Sequence, residues 1–165
     1  MTPETIKQTV SAWQSDPDKA KSKPTVVATA DGSQAAITAG PFTWRADLPP
    51  ALGGGNGAPS PTALLLSALA GCAVVFIRDT LGPQLGVPIE NVKATVACDA
   101  DARGLVGMPG AQPDLQNLRL GIELASSAPR AKIDELMQVW RARCPIYLAL
   151  EKPTAVAVSV SVAER

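Results

Sequence analysis

The chemistry that this chain could perform depends on its three cysteines, Cys72, Cys98 and Cys144, because the 165-residue sequence contains no histidine. Without histidine there can be no Ser-His-Asp or Cys-His nucleophile pair, no HExxH zinc site and no His-ligated metal or haem. Three scattered cysteines are also too few for a zinc site built from cysteine alone. The sequence therefore predicts thiol chemistry without a metal or another cofactor.

Cys144 directly precedes Pro145, and proline favours the first position of a helix. Cys144 would then be the cap residue, with its sulfur facing unpaired backbone N–H groups. Arg141 and Arg143 are close in the sequence, and positive charge and a helix start both favour a thiolate. A buried structural thiol explains a Cys-Pro pair equally well, so both interpretations stay open on these residues alone.

Cys72 lies in a long apolar run, where a cysteine most often packs as a small hydrophobe. Its small neighbours Gly71 and Ala73 would let another element approach the sulfur closely. Packing of this run against the helix that begins after Cys144 could bring the two sulfurs together. Cys98 lies on the apolar face of a predicted strand, without a helix end or a basic neighbour, and is interpreted as a packing residue.

The elements that must position these thiols are segregated along the chain rather than alternating, which indicates an α+β fold. Helical periodicity and cap residues predict helices over about residues 2–15, 60–81, 129–143 and 147–150, with Gly82-Pro83 ending the second. Alternation and turn residues predict strands over about residues 25–30, 34–38, 42–48, 91–99, 115–124 and 154–162, and loops over 49–59 and 104–113. The 60–81 helix is apolar on nearly every face, so it belongs inside a core or an interface.

Charge and length limit the classes of function. Lys plus Arg and Asp plus Glu both number 15, so no net field would attract nucleic acid or an acidic membrane. The N-terminus lacks the basic and apolar regions of a secretory signal. The longest apolar run, residues 63–77, is shorter than the ~20 residues of a membrane span. We therefore expect a single cytoplasmic domain with free thiols and no nucleic-acid or membrane partner.

Two motifs give the chain a family resemblance. Gly53-Gly54 is followed by Ser60-Pro61-Thr62-Ala63-Leu64-Leu65 and Ala70-Gly71-Cys72, and Arg143-Cys144-Pro145-Ile146-Tyr147 comes later. In these motifs, over about residues 26–162, the chain resembles the OsmC/Ohr family. The resemblance implies an OsmC-like fold, in which antiparallel sheets pack around a long buried Cys-bearing helix in an intertwined homodimer. Residues 25–165 would form a single OsmC-like domain, and residues 1–24 an N-terminal helical extension and connector.

The same resemblance implies a thiol-dependent peroxidase that reduces organic hydroperoxides in oxidative stress defence. Cys72 would be the peroxidatic cysteine, and its sulfenic acid would condense with the resolving Cys144 to a disulfide. A small dithiol, of lipoyl type in the Ohr branch, would then reduce this disulfide by exchange. The argument from the residues alone favours Cys144 as the thiolate, so which cysteine attacks first stays open.

The chain departs from the family pattern at two positions. Active members that it resembles pair a Glu near the start of the buried helix with an Arg from the N-terminal strands. The Glu position holds Thr62 here, and Arg45 is the nearest substitute for the Arg. Without a nearby cation, burial raises the pKa of Cys72 and reduces its thiolate population. The alternative is therefore a non-catalytic OsmC-like dimer that binds a small apolar or thiol ligand in the interface pocket.

Overall fold

The structure is a computed structural model that describes residues 2–152 and 155–162. Its helices are α1 (Pro3–Ser15), α2 (Pro61–Val75), α3 (Gly82–Leu85), α4 (Ala102–Leu105), α5 (Arg130–Arg143) and α6 (Pro145–Glu151). Its strands are β1 (Val27–Asp31), β2 (Gln34–Ala39), β3 (Phe42–Ala46), β4 (Asn91–Asp99) and β5 (Gln116–Ala125). Helices and antiparallel sheets are segregated along the chain, which confirms the α+β class.

Two separate sheets form from neighbouring strands. In the first, β1, β2 and β3 pair antiparallel in chain order, with Ile37 opposite Trp44. The first turn places Gly32 at φ +62°, a backbone conformation that favours glycine. In the second, β4 pairs antiparallel with β5, and Val92 lies opposite Leu124. Both pairings follow the predicted alternation, and β5 lies within a residue of its predicted bounds at each end.

The core lies between the helix that begins with α2, strand β4 and helix α5. Its fully or nearly buried members are Ala73, Ile77, Leu81, Val87, Val92, Leu136, Trp140 and Cys144. Helix α5 contributes Leu136 and Trp140, while Ile133 and Val139 pack against the cluster from the same helix. This face of α5 therefore packs into the core, and Cys144 belongs to the same core.

The Cys72 helix is longer than the sequence predicts. Ser60 caps α2, since its Oγ accepts from the N–H of Ala63 at 3.1 Å. The predicted end at Gly82-Pro83 is wrong, because the chain continues through a π-helical segment, Phe76–Leu81, into α3. Pro83 lacks an amide hydrogen and would crowd a regular α-helical turn before it, and the wider π-helical turns accommodate it. The helix ends at Gly86, whose φ is +66°.

The continuous helix Pro61–Leu85 has 25 residues and is long and apolar enough to cross a membrane by length and composition. The predicted apolar run was shorter because it stopped at Arg78-Asp79. This finding is weak evidence, since a core helix passes the same test. The part of the helix around Ile77 and Leu81 is fully buried against the other core elements.

Two predicted segments differ in the structure. The loop predicted over 104–113 overlaps the short helix α4, whose start is capped by Asp101. The closing strand predicted over 154–162 is wrong for residues 155–162, which have no regular structure, while Thr154 lies outside the described residues. Val156 and Val162 are 82% and 87% exposed. A strand needs a hydrogen-bonded neighbour, and none accompanies this segment within the part of the chain that the structure describes.

The N-terminal helix is present as predicted. Thr2 caps α1 by accepting from the N–H of Thr5 at 3.2 Å. Ile6 is buried and α1 lies against α3, whereas Val10 and Trp13 remain exposed in the single chain. The division into residues 1–24 and 25–165 stays a prediction.

Candidate thiol site

The structure brings Cys72 and Cys144 together. Their Sγ atoms are 3.2 Å apart, although 72 residues separate them in the sequence. Helix α2 carries Cys72, and Cys144 lies between α5 and α6, so the packing of α5 and α6 on the α2 helix sets the distance. Both cysteines are free thiols, close enough for either one to donate a hydrogen bond to the other.

The two thiols differ in exposure. Cys144 is fully buried in the core. Cys72 is half-buried, next to the fully buried Ala73. A molecule from solvent therefore meets Cys72 first.

The surroundings of Cys72 oppose its ionisation. Burial, the hydrogen bond with Cys144 and the charge of Cys144 together raise the pKa of Cys72 to about 11. The backbone N–H of Ile146 acts in the opposite direction and lowers this pKa. At pH 7 a thiol with such a pKa is ionised in about one molecule in ten thousand.

The helix start that follows Cys144 acts on the other cysteine. Cys144 is the cap residue of α6 and Pro145 holds the first turn, in the predicted positions. The side chain of Cys144, however, makes no capping hydrogen bond. The nearby N–H of Ile146 acts on the sulfur of Cys72 instead. The expectation that these N–H groups face the sulfur of Cys144 is therefore wrong.

No cation is among the groups that shift the pKa of Cys72 in the described part of the chain. Arg45 is engaged elsewhere: it forms an ion pair with Asp31 at 2.6 Å and donates to Gln34 at 2.9 Å. Thr62 lies in the first turn of α2 and carries no charge. Among the described residues, Thr62 and Arg45 therefore do not provide the charge pair of the family pattern next to Cys72.

A buried carboxylate organises the loop that leads into α2, and sequence reasoning missed it. Asp47 is 3% exposed, and its Oδ2 accepts from Gln34 Nε2 at 3.0 Å and from the N–H of Gly57 at 2.8 Å. Its Oδ1 accepts from the N–H groups of Leu48 and Gly55 at 2.7 and 3.2 Å. The bond to Gln34 and these N–H groups lower the pKa of Asp47 to about 2, although burial acts against them.

The glycines of this loop allow neighbouring backbone segments to pack closely against each other. A Cβ added at Gly54 would collide with the backbone carbonyl of Leu48. The N–H of Asp47 donates to the carbonyl of Pro59 at 3.2 Å, directly before the cap of α2. The loop therefore fixes where the Cys72 helix begins. A single Asp after a strand and before a glycine-rich run is the signal in the sequence, and it is too common to be specific.

A cleft of about 750 Å³ lies between α2, β5, α5 and α6. Its lining combines apolar and charged or polar side chains and consists of Leu69, Leu118, Leu120, Ile122, Met137, Trp140, Arg141, Tyr147, Leu150 and Glu151. Leu69 is one helical turn before Cys72, and Trp140 and Tyr147 also pack in the cluster around Cys144. The cleft therefore adjoins residues that pack around the thiols, while neither cysteine is among its lining residues.

The remaining candidates lie outside the pair. Cys98 lies on the half-buried face of β4 with Val92, Ala94 and Val96, as the alternation predicts. Among the described residues, no group of three or more His, Cys, Asp or Glu is arranged to hold a metal ion.

Comparison with known proteins places the chain in a family. The family model described as OsmC-like protein matches residues 53–159, which is more than half of the chain. The chain belongs to the OsmC-like family. No curated protein matches the chain.

Solved structures share the fold at low sequence identity. An OsmC-like protein from Mycoplasma pneumoniae has a TM-score of 0.67 and 20% identity, with 81% of this chain and 90% of that chain covered. An organic hydroperoxide resistance protein OsmC from Legionella pneumophila has a TM-score of 0.53 and 22% identity, with coverage of 86% and 98%. An OsmC-like hydroperoxide resistance protein from Jannaschia sp. CCS1 has a TM-score of 0.51 and 20% identity, with coverage of 84% and 91%.

Proposed function

We propose that this chain is a thiol-dependent peroxidase that reduces organic hydroperoxides with Cys72 and Cys144, in oxidative stress defence. The 3.2 Å separation of the two sulfurs carries the proposal. Solved structures that share the fold include proteins named for hydroperoxide resistance. The leucines, Ile122 and Met137 that line the nearby cleft suit the organic part of such a substrate.

The half-exposed Cys72 is the attacking thiol, since Cys144 is fully buried. Its thiolate attacks one oxygen of the hydroperoxide, the O–O bond breaks, and the other oxygen leaves with a proton as an alcohol. Cys72 is then a sulfenic acid. The sulfur of Cys144 attacks the Cys72 sulfur, a disulfide forms, and the oxygen leaves as water. Two thiols and one hydroperoxide thus give a disulfide, an alcohol and water.

The second step needs little motion. A disulfide bond is roughly 2 Å long, so the sulfurs must close by only about 1 Å from their separation as thiols. No helix has to unfold for Cys144 to reach Cys72. A small dithiol, of lipoyl type in our proposal, restores the thiols by exchange. A reducing compartment such as the cytoplasm suits this cycle.

We further propose that the protein acts as a homodimer. Leu65 and Val75 on α2 are 39% and 51% exposed in the single chain, and the valines at 156, 158, 160 and 162 are more exposed still. Apolar surface of this extent is typical of a protein interface. A second copy would cover the exposed face of α2, which the sequence places inside a core or an interface.

One observation favours a second candidate function. The pKa of Cys72 is raised to about 11, and no cation acts against this shift in the described residues. A thiol that is rarely ionised suits a binding pocket as well as a catalyst. The alternative is a non-catalytic OsmC-like dimer that holds a small apolar or thiol ligand.

Mass spectrometry of the reduced protein after one equivalent of cumene hydroperoxide separates the two functions. We expect a disulfide between Cys72 and Cys144 within seconds, and none in Cys72→Ser. The matched control is Cys98→Ser, which keeps the pair and should form the same disulfide. Thiols that stay unmodified for minutes in the folded protein would contradict the peroxidase and leave the binding function.

A further inference from the structure

We propose that Asn56 is a modification site whose reactivity the folded loop controls: the carboxylate of Asp47 holds the N–H of Gly57, whose nitrogen would otherwise attack the side-chain amide of Asn56. The modification is spontaneous deamidation, and its co-reactant is water. The inference concerns the loop that leads into α2, and it stands independently of the proposed peroxidase.

The pair Asn56-Gly57 is chemically suited to this reaction. The chain has asparagines at positions 56, 91 and 117, and only Asn56 is followed by glycine. The other two precede Val92 and Leu118, whose side chains hinder ring closure, whereas glycine has no Cβ to obstruct it. Asn56 is also exposed, so water reaches its side chain.

The reaction joins two neighbouring groups of the chain. The backbone nitrogen of Gly57 loses its proton and attacks the Cγ of Asn56, a C–N bond forms, and the side-chain nitrogen leaves with a proton as ammonia. Water then opens the five-membered imide ring to give aspartate or isoaspartate. The first step requires the N–H of Gly57 to be free, and this is the step that the fold can control.

The structure holds that N–H on a buried carboxylate. The N–H of Gly57 donates to Oδ2 of Asp47 at 2.8 Å, and the carboxylate is 3% exposed. Removing a proton from this nitrogen would create a negative charge beside an existing one, which is costly away from water. The attack on Asn56 therefore requires the hydrogen bond to open first.

The backbone on both sides of Asn56 is fixed as well. The N–H of Asn56 donates to the carbonyl of Leu48 at 3.0 Å, and the N–H of Gly55 donates to Oδ1 of Asp47 at 3.2 Å. Asn56 itself has a φ of +53°, in the left-handed region that asparagine tolerates better than most residues. While these bonds hold, the side chain of Asn56 cannot freely adopt the geometry of attack.

Deamidation would weaken the loop that prevents it. It would place a new carboxylate between the two N–H groups that Asp47 binds, and isoaspartate would also add a methylene group to the main chain there. The N–H of Asp47 donates to the carbonyl of Pro59, directly before the cap of α2. Modification of Asn56 would therefore also loosen the start of the Cys72 helix.

The test compares deamidation rates at pH 8 in the folded and the denatured protein. Trypsin releases the peptide 46–78, in which Asn56 is the only amide side chain, and mass spectrometry follows its conversion. The folded wild type should react roughly tenfold or more slowly than the same protein in urea. Asp47→Ala should lose most of this protection, because a hydrogen bond to a charged group is lost. The matched control Asp31→Ala removes an exposed carboxylate from the same sheet and should react as slowly as the wild type.

Several outcomes would overturn the proposal. Equal rates in the folded and the denatured wild type would show that the loop gives no protection. A rate in Asp47→Ala that equals the wild-type rate would show that the carboxylate is not the protecting group, and a lower rate would show that it acts as a base. If Asp47→Ala does not fold, Asp47→Asn must accelerate the reaction instead, with fragment ions separating positions 47 and 56. Deamidated wild type, isolated by anion exchange, should melt below the unmodified protein, and an equal melting temperature would contradict the effect on the loop.

Discussion

At the scale of single residues, Cys72 is accessible to solvent but its thiol ionises poorly. It is the thiol of the pair that solvent reaches, yet burial and the neighbouring Cys144 both disfavour its charge. The N–H of Ile146 offsets part of this effect. The chain has Thr62 where the family pattern has a Glu, and its Arg45 pairs with Asp31. Within the part of the chain that the structure describes, backbone and thiol neighbours rather than an ion pair therefore act on the ionisation of Cys72.

The raised pKa predicts a steep pH dependence. Because only the thiolate attacks, the rate at which Cys72 reacts with hydroperoxide or iodoacetamide should rise about tenfold per pH unit between pH 7 and 10. An ordinary thiol would level off near pH 9. The folded state holds the proton more tightly than the unfolded chain, so this group stabilises the fold below the ordinary thiol pKa. That stability is lost as the pH rises toward about 11.

Stopped-flow measurement of alkylation against pH checks this expectation. In Cys144→Ser the curve should move to lower pH, since both the hydrogen bond and the charge of Cys144 raise the pKa of Cys72. A wild-type rate that reaches a plateau below pH 9 would contradict it. Cys98→Ser serves as the control because Cys98 is not among the groups that act on Cys72.

At the scale of elements, the loop over residues 47–59 decides where the Cys72 helix starts. The carboxylate of Asp47 accepts hydrogen bonds from loop N–H groups that would otherwise be unpaired. The N–H of Asp47 donates to the carbonyl of Pro59. Helix α2 begins two residues later, at Pro61. A substitution at Asp47 should therefore affect the thiol site by changing the position of α2.

Asp47→Asn should lower the melting temperature by several degrees at pH 7, because an amide has one oxygen and no charge to offer the N–H donors. The pKa of Asp47 is lowered to about 2, so its stabilisation is present above the ordinary carboxyl pKa and is lost as the pH falls through about 2. The difference between variant and wild type should therefore shrink in acid. Thermal melts from pH 7 to 2 measure it.

The control for Asp47→Asn is Asp31→Asn, which removes a charge from the same sheet. Asp31 is half exposed and pairs with Arg45. Exposed ion pairs contribute little, so this variant should melt close to the wild type. Equal losses in both variants would mean that the loop does not depend on the buried carboxylate.

The sequence allowed prediction of the elements whose signals are local. The Asp31-Gly32 turn and the Val92–Cys98 alternation gave the hairpin and the strand face correctly, because turn geometry and side-chain period depend on few residues. The helix end predicted at Gly82-Pro83 was wrong, since a π-helical segment accommodates the proline. Asp47 was missed because its role needs four partners that no short pattern contains. The Cys72–Cys144 contact was suggested by motifs but joins residues far apart in the chain.

At the scale of the whole molecule, the single chain leaves too much apolar surface uncovered. Hydrophobic residues make up 46% of the sequence, yet Trp44, Val75 and the valines of residues 155–162 are exposed. The 155–162 segment alternates valine with alanine or serine, which is typical of a strand with one buried face. The segment has no regular structure in the single chain, and a second copy of the chain would give its exposed valines an apolar cover.

The homodimer predicts a solution mass of twice the 17.0 kDa of one chain, which analytical ultracentrifugation measures directly. Val160→Glu places a charge on the valine face of the 155–162 segment, so it should shift the mass toward one chain at concentrations where the wild type is dimeric. The matched control Ser159→Glu adds the same charge one residue earlier, at a position outside the alternating valines, and it should stay dimeric. A wild type with the mass of one chain, or equal loss of the dimer in both variants, would contradict the proposed interface.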